Sequence, residues 1–189
     1  MADLEQNLRQ VLSVYEPERI AIEGFRPAAV LVPLLKTEQG IELLFTVRSS
    51  ALKHHAGQIS FPGGRADEGE TFVETAIRET HEETGLIVHK QNVLGFLDEH
   101  PSPAQYIVTP VVALLDWPQA LHLNKHEVDE VFTAPLTDLL NLDPRSEERQ
   151  VKAFSRRLHY YHYGERVIWG LTGNVLKRLL DLVRTLESP

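Results

Sequence analysis

Residues Gly63–Leu86 read GGRADEGETFVETAIRETHEETGL. Thr71 with Glu74 three positions later fits a capping box, and Gly85 stands where a left-handed residue ends a helix. The spacing therefore predicts a helix from about Thr71 to Thr84, docked through Phe72, Val73, Ala76 and Ile77. Near its end Glu79, Glu82 and Glu83 fall at i, i+3 and i+4, on one face within a turn. That placement is poor for helix stability: like charges repel at this spacing, and acidic groups oppose the C-terminal end of the helix dipole. A divalent cation removes both objections, because oxygen-rich carboxylate clusters suit hard ions such as Mg²⁺ or Mn²⁺. The three glutamates alone are equally compatible with a solvated acidic helix.

Working outward, Ala28–Leu35 is an apolar run suited to a buried strand, and Ile41–Val47 follows a turn at Gly40 as the second arm of a hairpin. A loop of about Ser49 to Gly69 then leads to the glutamate helix. Val93–Leu97 and Ile107–Leu115 are further strands, with Pro110 implying an edge or a bulge in the second. Residues 135–142 suggest a short helix. Leu158–Tyr163 and Arg166–Trp169 flank Gly164-Glu165 as a late hairpin. An N-terminal helix with Asp3 as its cap and an amphipathic helix from Leu171 complete the series. Strands mixed with helices give an α/β or α+β layered domain. No repeat, low-complexity tract or dividing linker interrupts it, so residues 1–189 are expected to form one domain.

With 189 residues and no cysteine, the chain offers a full hydrophobic core but no disulfide, thiolate zinc site or cysteine nucleophile. Its formal charge of −8 opposes non-specific binding to nucleic acid. No apolar stretch approaches membrane-spanning length and no signal peptide is evident, so a cytoplasmic location is the default expectation. Within this acidic chain Arg48, Lys53, His54, His55 and Arg65 form the densest basic cluster near the glutamate helix. Such a cluster attracts phosphate locally, although on charge alone Arg48 ending a strand and a solvated Lys53 account for it better. His54 and His55 stay open between phosphate contact and packing.

Gly64, Glu70, Arg78, Glu79, Glu82, Glu83, Gly85 and Leu86 together resemble the Nudix box, G-x5-E-x7-R-E-U-x-E-E-x-G-U, over residues 64–86. The one departure is Thr80, where the family carries a bulky apolar residue; it should weaken helix packing and leave the carboxylates untouched. The resemblance implies a mixed sheet sandwiched between helices and hydrolysis of a diphosphate linked to an organic group. It implies Glu79 and Glu83 as first ligands for the metal, with Glu82 as a further ligand or outer group. Arg78 then pairs with Glu70 and orients the loop. For the general base a box glutamate such as Glu79 or Glu82 competes with a distal one, for which Glu127 is the candidate.

The preceding segment, Leu44-Phe45-Thr46-Val47-Arg48-Ser49, Lys53, Gly57 and Phe61-Pro62-Gly63-Gly64, resembles the signature of the coenzyme A pyrophosphatase branch across residues 44–64. Phe45 replaces a leucine, and Lys53 replaces an arginine, losing the bidentate fork. Arg48, Lys53, Gly57, Gly63 and Gly64 become the expected substrate-binding positions, the glycines because close backbone approach to phosphate needs missing side chains. Arg48 and its loop are expected to read the charged adenosine end. Hydrolysis of ADP-ribose or a dinucleoside polyphosphate, and a non-catalytic Nudix-fold nucleotide sensor, stand as alternatives. RNA decapping is disfavoured, since only His159–Tyr163 interleaves basic and aromatic residues. The expected partner is a small molecule and neither nucleic acid nor membrane, with the chain a monomer or homodimer.

Overall fold

The computed structural model describes residues 2–52, 55–151 and 154–187, and its two longest pairings set the architecture. β1 (Arg26–Thr37) runs parallel to β7 (Tyr106–Asp116) along its length and antiparallel to β2 (Gly40–Arg48) across the turn at Gly40. β5 (Val93–Phe96) lies beyond β7, β6 (His100–Pro101) continues that edge, and β8 (Val128–Pro135) covers the outer edge of β2. The sheet is thus mixed and eight-stranded, as expected for the α+β reading. A separate three-stranded sheet has the order β11 (Arg166–Ile168), β10 (Phe154–Tyr163), β9 (Arg145–Val151).

Period-two patterning explains why both faces need helices. Val32 and Leu34 of β1, Val112 and Leu114 of β7 and Leu43 and Phe45 of β2 enter one core with α1 (Ala2–Val14), α3 (Leu136–Leu140) and α4 (Gly170–Glu187). The alternate residues Ala29, Leu31, Leu35, Val111, Ala113 and Leu115 enter the other, under Ala76 of α2 (Phe72–Thr84). No helix is long and apolar enough to cross a membrane among the described residues.

β1 and β2 pair only where Leu34–Thr37 meets Gly40–Leu43. Toward the other end they part, and the next segment of chain fills the opening. There β3 (Ile59–Ser60) pairs with β2, β4 (Gly63–Arg65) pairs with β1, and the Pro62 carbonyl accepts from the Leu31 N–H at 2.8 Å. The stretch read from sequence as one loop therefore contributes two strands. Their ladders come from β1 and β2 and from no pattern of their own. Pro110 is not on an edge, since β7 has neighbours on both sides. It falls in the gap between the β5 and β6 ladders, where its carbonyl still accepts from Leu97, so the irregularity it demands is met there. The N-terminal helix starts one residue before Asp3.

Candidate active site

Helix α2 is closed at both ends by its own sequence. Thr71, extended at φ −77° and ψ 157°, accepts from the Glu74 N–H, while the Glu74 carboxylate accepts from the Thr71 N–H at 3.0 Å. Gly85, at φ 74°, donates its N–H to the His81 carbonyl at 2.8 Å. Between the caps, Arg78 gathers the helix and the loop before it. Its Nε and Nη2 donate to the two Glu70 oxygens at 2.7 and 2.9 Å, its Nη2 to the Arg65 carbonyl at 3.1 Å, and its Nη1 to Glu79 at 2.8 Å. Glu70 in turn accepts from the Asp67 N–H and the Thr75 hydroxyl, and this fan of donors, Arg78 foremost, holds its carboxyl down at about 2.

The box glutamates separate by environment. Glu83 is only 4 % exposed. Burial pushes its carboxyl up to about 8, Glu127 and Glu79 add to the rise, and Arg48 and the Gly63 N–H oppose it. Glu79 turns toward β4, where a Cβ on Gly64 would stand 2.5 Å from its carboxylate. Glu82 points outward, its side chain 57 % exposed and 3.4 Å from Arg78 Nη1. Gly63 and Gly64 thus exclude a side chain for the protein's own sake: a Cβ on Gly63 would lie 2.3 Å from the Ala29 carbonyl, and the space over Gly64 belongs to Glu79. Gly57, at φ 70° with open space around it, serves the turn that returns its N–H to the Arg48 carbonyl at 3.0 Å. Lys53 and His54 lie outside the described residues.

The facing wall comes from distant parts of the chain. Arg48 ends β2 at an irregularity in its pairing with β8, and its Nε is buried without a hydrogen-bond partner. Glu127 stands just before β8. Its N–H donates to the Asn124 carbonyl, while the Asn124 side chain donates to the Glu127 carboxylate at 3.2 Å and the Asn124 N–H to the Glu83 carbonyl at 2.9 Å. Asp129, which sequence reasoning did not single out, locks this turn to the end of β2. It accepts from the Ser49 hydroxyl at 3.1 Å and the Ser50 N–H at 2.8 Å, and the Ser49 N–H reaches the Glu127 carbonyl at 2.8 Å. Nothing in a single sequence marks Asp129 as special, since its partners lie about eighty positions away. Beside Arg48 lies a cleft of about 310 Å³, lined also by Ala28, Val30, Phe61, Gly63 and Gly64.

Among the described residues no three histidine or acidic side chains converge on one point at coordinating distance. The donor set nevertheless suits a hard dication by its chemistry: a buried carboxylate raised to about 8 beside two others is a charge arrangement that such an ion relieves.

Comparison with known proteins identifies the family. The family model described as NUDIX domain matches residues 24–157. An uncharacterized Nudix hydrolase NudL of Photorhabdus laumondii is 37% identical over 170 residues, covering 89% of this chain and 90% of its own. The human mitochondrial coenzyme A diphosphatase NUDT8 is 40% identical over 163 residues, 82% of this chain and 69% of its own. Among solved structures, a MutT/nudix family protein from Enterococcus faecalis superimposes with a TM-score of 0.58 at 15% identity, over 97% of this chain and 70% of that one. The NUDIX domain of Shewanella oneidensis NrtR, complexed with ADP ribose, gives 0.55 at 19% identity, over 95% and 97%. These two share the fold; the family model and the curated relatives establish that the chain belongs to the Nudix hydrolases.

Proposed function

We propose that the chain hydrolyses the diphosphate of coenzyme A and its derivatives, giving 3′,5′-ADP and 4′-phosphopantetheine or its acylated form. The observation that carries this reading is the position of Arg48. The coenzyme A-type segment 44–64 brings it near enough to the buried Glu83 to oppose the rise of that carboxyl, and Arg48 lines the cleft that the same segment borders through Gly63 and Gly64. A diphosphate is the group that satisfies a guanidinium so placed. Its nearness to Glu83 favours contact with the diphosphate over contact with the remote 3′-phosphate. The name of the human relative points the same way.

In this reading Glu79 and Glu83 hold Mg²⁺ or Mn²⁺, and the exposed Glu82 serves the outer shell. When bound, the cation neutralises phosphate charge and lowers the pKa of water. Arg78, anchored on Glu70, keeps Glu79 facing Gly64. Glu127 accepts the proton of the attacking water as its oxygen bonds to phosphorus and the bridging P–O bond breaks. The test is a panel of coenzyme A, dephospho-coenzyme A, ADP-ribose, NADH and diadenosine polyphosphates with each metal. Coenzyme A should give the largest specificity constant, and EDTA should abolish it. Faster hydrolysis of ADP-ribose would replace the substrate, and binding without products under either metal would leave a sensor.

A further inference from the structure

A single residue, Asn124, ties the end of the glutamate helix to the turn that carries Glu127. It is half-buried, whereas Glu127 is exposed. The Asn124 main chain makes three bonds. Its N–H donates to the Glu83 carbonyl at 2.9 Å, and its carbonyl accepts from the N–H groups of Glu127 at 2.9 Å and Val128 at 2.8 Å. The side chain makes two more. Oδ1 accepts from the His126 N–H at 3.2 Å, and Nδ2 donates to Glu127 Oε1 at 3.2 Å.

These five bonds do not ask for the same side chain. The main-chain bonds hold the turn on α2 whatever residue stands at 124. The Oδ1 bond closes an Asx turn, which aspartate makes as well as asparagine. The Nδ2 bond alone among them requires an amide, and it ends on the carboxylate proposed as the base. An exposed glutamate has several rotamers open to it, and a base acts only within hydrogen-bond reach of its proton. A donor on Oε1 restricts that freedom and leaves Oε2 to face water. We infer that Asn124 is a positioning residue: its amide aims the Glu127 carboxylate, while its main-chain N–H sets that carboxylate's turn against Glu83. The inference rests on the proposed hydrolysis with Glu127 as base, and not on the organic group that the diphosphate carries.

Asn124→Asp separates the two roles of the side chain, since it keeps the Asx turn but replaces the donor with an acceptor facing Glu127. With coenzyme A and with ADP-ribose, each in Mg²⁺, kcat should fall about tenfold while KM stays within twofold. Asn124→Ala should lose a similar factor. In a Glu127→Gln background, Asn124→Asp should cost no further turnover. Stability gives a reading independent of chemistry. Asn124→Asp should lower the thermal unfolding midpoint at low salt by opposing two carboxylates, and adding Glu127→Gln should restore it, because the new amide at 127 donates to the new carboxylate at 124. Full kcat in Asn124→Asp would leave Asn124 a turn residue and overturn the inference. So would equal losses in the wild-type and Glu127→Gln backgrounds, or unimpaired turnover in Glu127→Gln alone; each of these spares the diphosphatase reading if coenzyme A remains the better substrate. The predicted kcat loss in an enzyme that cleaves only ADP-ribose keeps the inference and loses the coenzyme A assignment. No turnover of either substrate overturns both.

Discussion

Along α2 and β4 the polar contacts close within one short stretch of chain. Arg78 reaches Glu70, the Arg65 carbonyl and Glu79, and both helix caps are satisfied by neighbours in sequence. The opposite wall closes nothing locally. Arg48 depends on Ser49, Ser49 on Asp129, and Glu127 on Asn124, which also holds the end of α2. The first wall is a cassette that carries its own geometry; the second is a junction whose geometry exists only once the sheet has formed. The same candidate site thus combines residues whose placement survives local perturbation with residues whose placement depends on long-range register.

The largest effects should come from the cassette's carboxylates, and they should differ from one another. Glu83→Gln should cut turnover by orders of magnitude while leaving the unfolding midpoint unchanged or raised, because the amide avoids the cost of keeping this carboxyl protonated near neutrality, where burial, Glu127 and Glu79 oppose its ionised form. Glu79→Gln should lose comparable activity but also weaken the Arg78 contact, costing about 1–2 kcal/mol in stability. Near-normal turnover of either variant at limiting Mg²⁺ would remove these residues from the metal site. A matched stability loss in both would erase the distinction between them.

The adjoining glycines split the same way. Gly64→Ala displaces the Glu79 carboxylate, so activity should drop at least tenfold with a modest loss of stability, as read by kinetics and thermal unfolding. Gly63→Ala meets the Ala29 carbonyl at 2.3 Å from a φ of 151°, and should cost about 2–3 kcal/mol before any effect on chemistry.

On the junction wall, Asp129→Asn keeps shape but loses the negative charge that the Ser50 N–H and the Ser49 hydroxyl hold below the usual carboxylate range. Loosening Arg48 and Glu127 together should reduce kcat/KM about tenfold with little change in unfolding midpoint. Pairing it with Arg48→Ala in a double-mutant cycle sharpens the claim: strict additivity would mean that the clamp does not act through Arg48.

The contrast between the walls also explains what sequence could say. The glutamate helix and its caps were legible because each depends on spacings of three or four residues, whereas the Arg78–Glu70 pair followed from the Nudix resemblance. The hairpin β1–β2 and strands β5 and β7 announced themselves as apolar runs. β9 did not: Arg145–Val151 is almost wholly polar and becomes a strand through its pairing with β10. β3 and β4 are too short for a pattern and exist because β1 and β2 part. That Arg48 belongs beside Glu83, and that Asp129 belongs to the site at all, are statements about register across the sheet, which one sequence does not display.

Smaller effects probe how self-contained the cassette is. Glu70 has its carboxyl held at about 2 against an ordinary value near 4.5, so its ionised form stabilises the fold. That contribution is complete above pH about 4.5 and disappears as pH falls toward 2. Glu70→Gln should therefore cost about 1–2 kcal/mol at pH 7, and the gap between variant and wild type should narrow at pH 3 in urea titrations. A constant gap would show that shape, not charge, is what Glu70 supplies.

The smallest expected change lies at Thr80, the one position where the cassette departs from its family pattern. Its side chain is fully buried in α2 and its hydroxyl has no hydrogen-bond partner. A desolvated hydroxyl left unpaired costs about 1–3 kcal/mol, and valine has nearly the same shape without that group. Both residues are β-branched, so helix propensity changes little between them. Thr80→Val should accordingly raise stability by about 1 kcal/mol, visible as a higher urea midpoint at an unchanged slope. Turnover should stay within twofold, because Glu79 and Glu83 flank the site on other directions of the helix and keep their partners. A loss of stability would mean that the hydroxyl bonds back to the Ala76 carbonyl one turn earlier, as buried helical threonines often do. In that case the departure at Thr80 would be a compensated substitution, and the cassette would carry no local weakness at its centre.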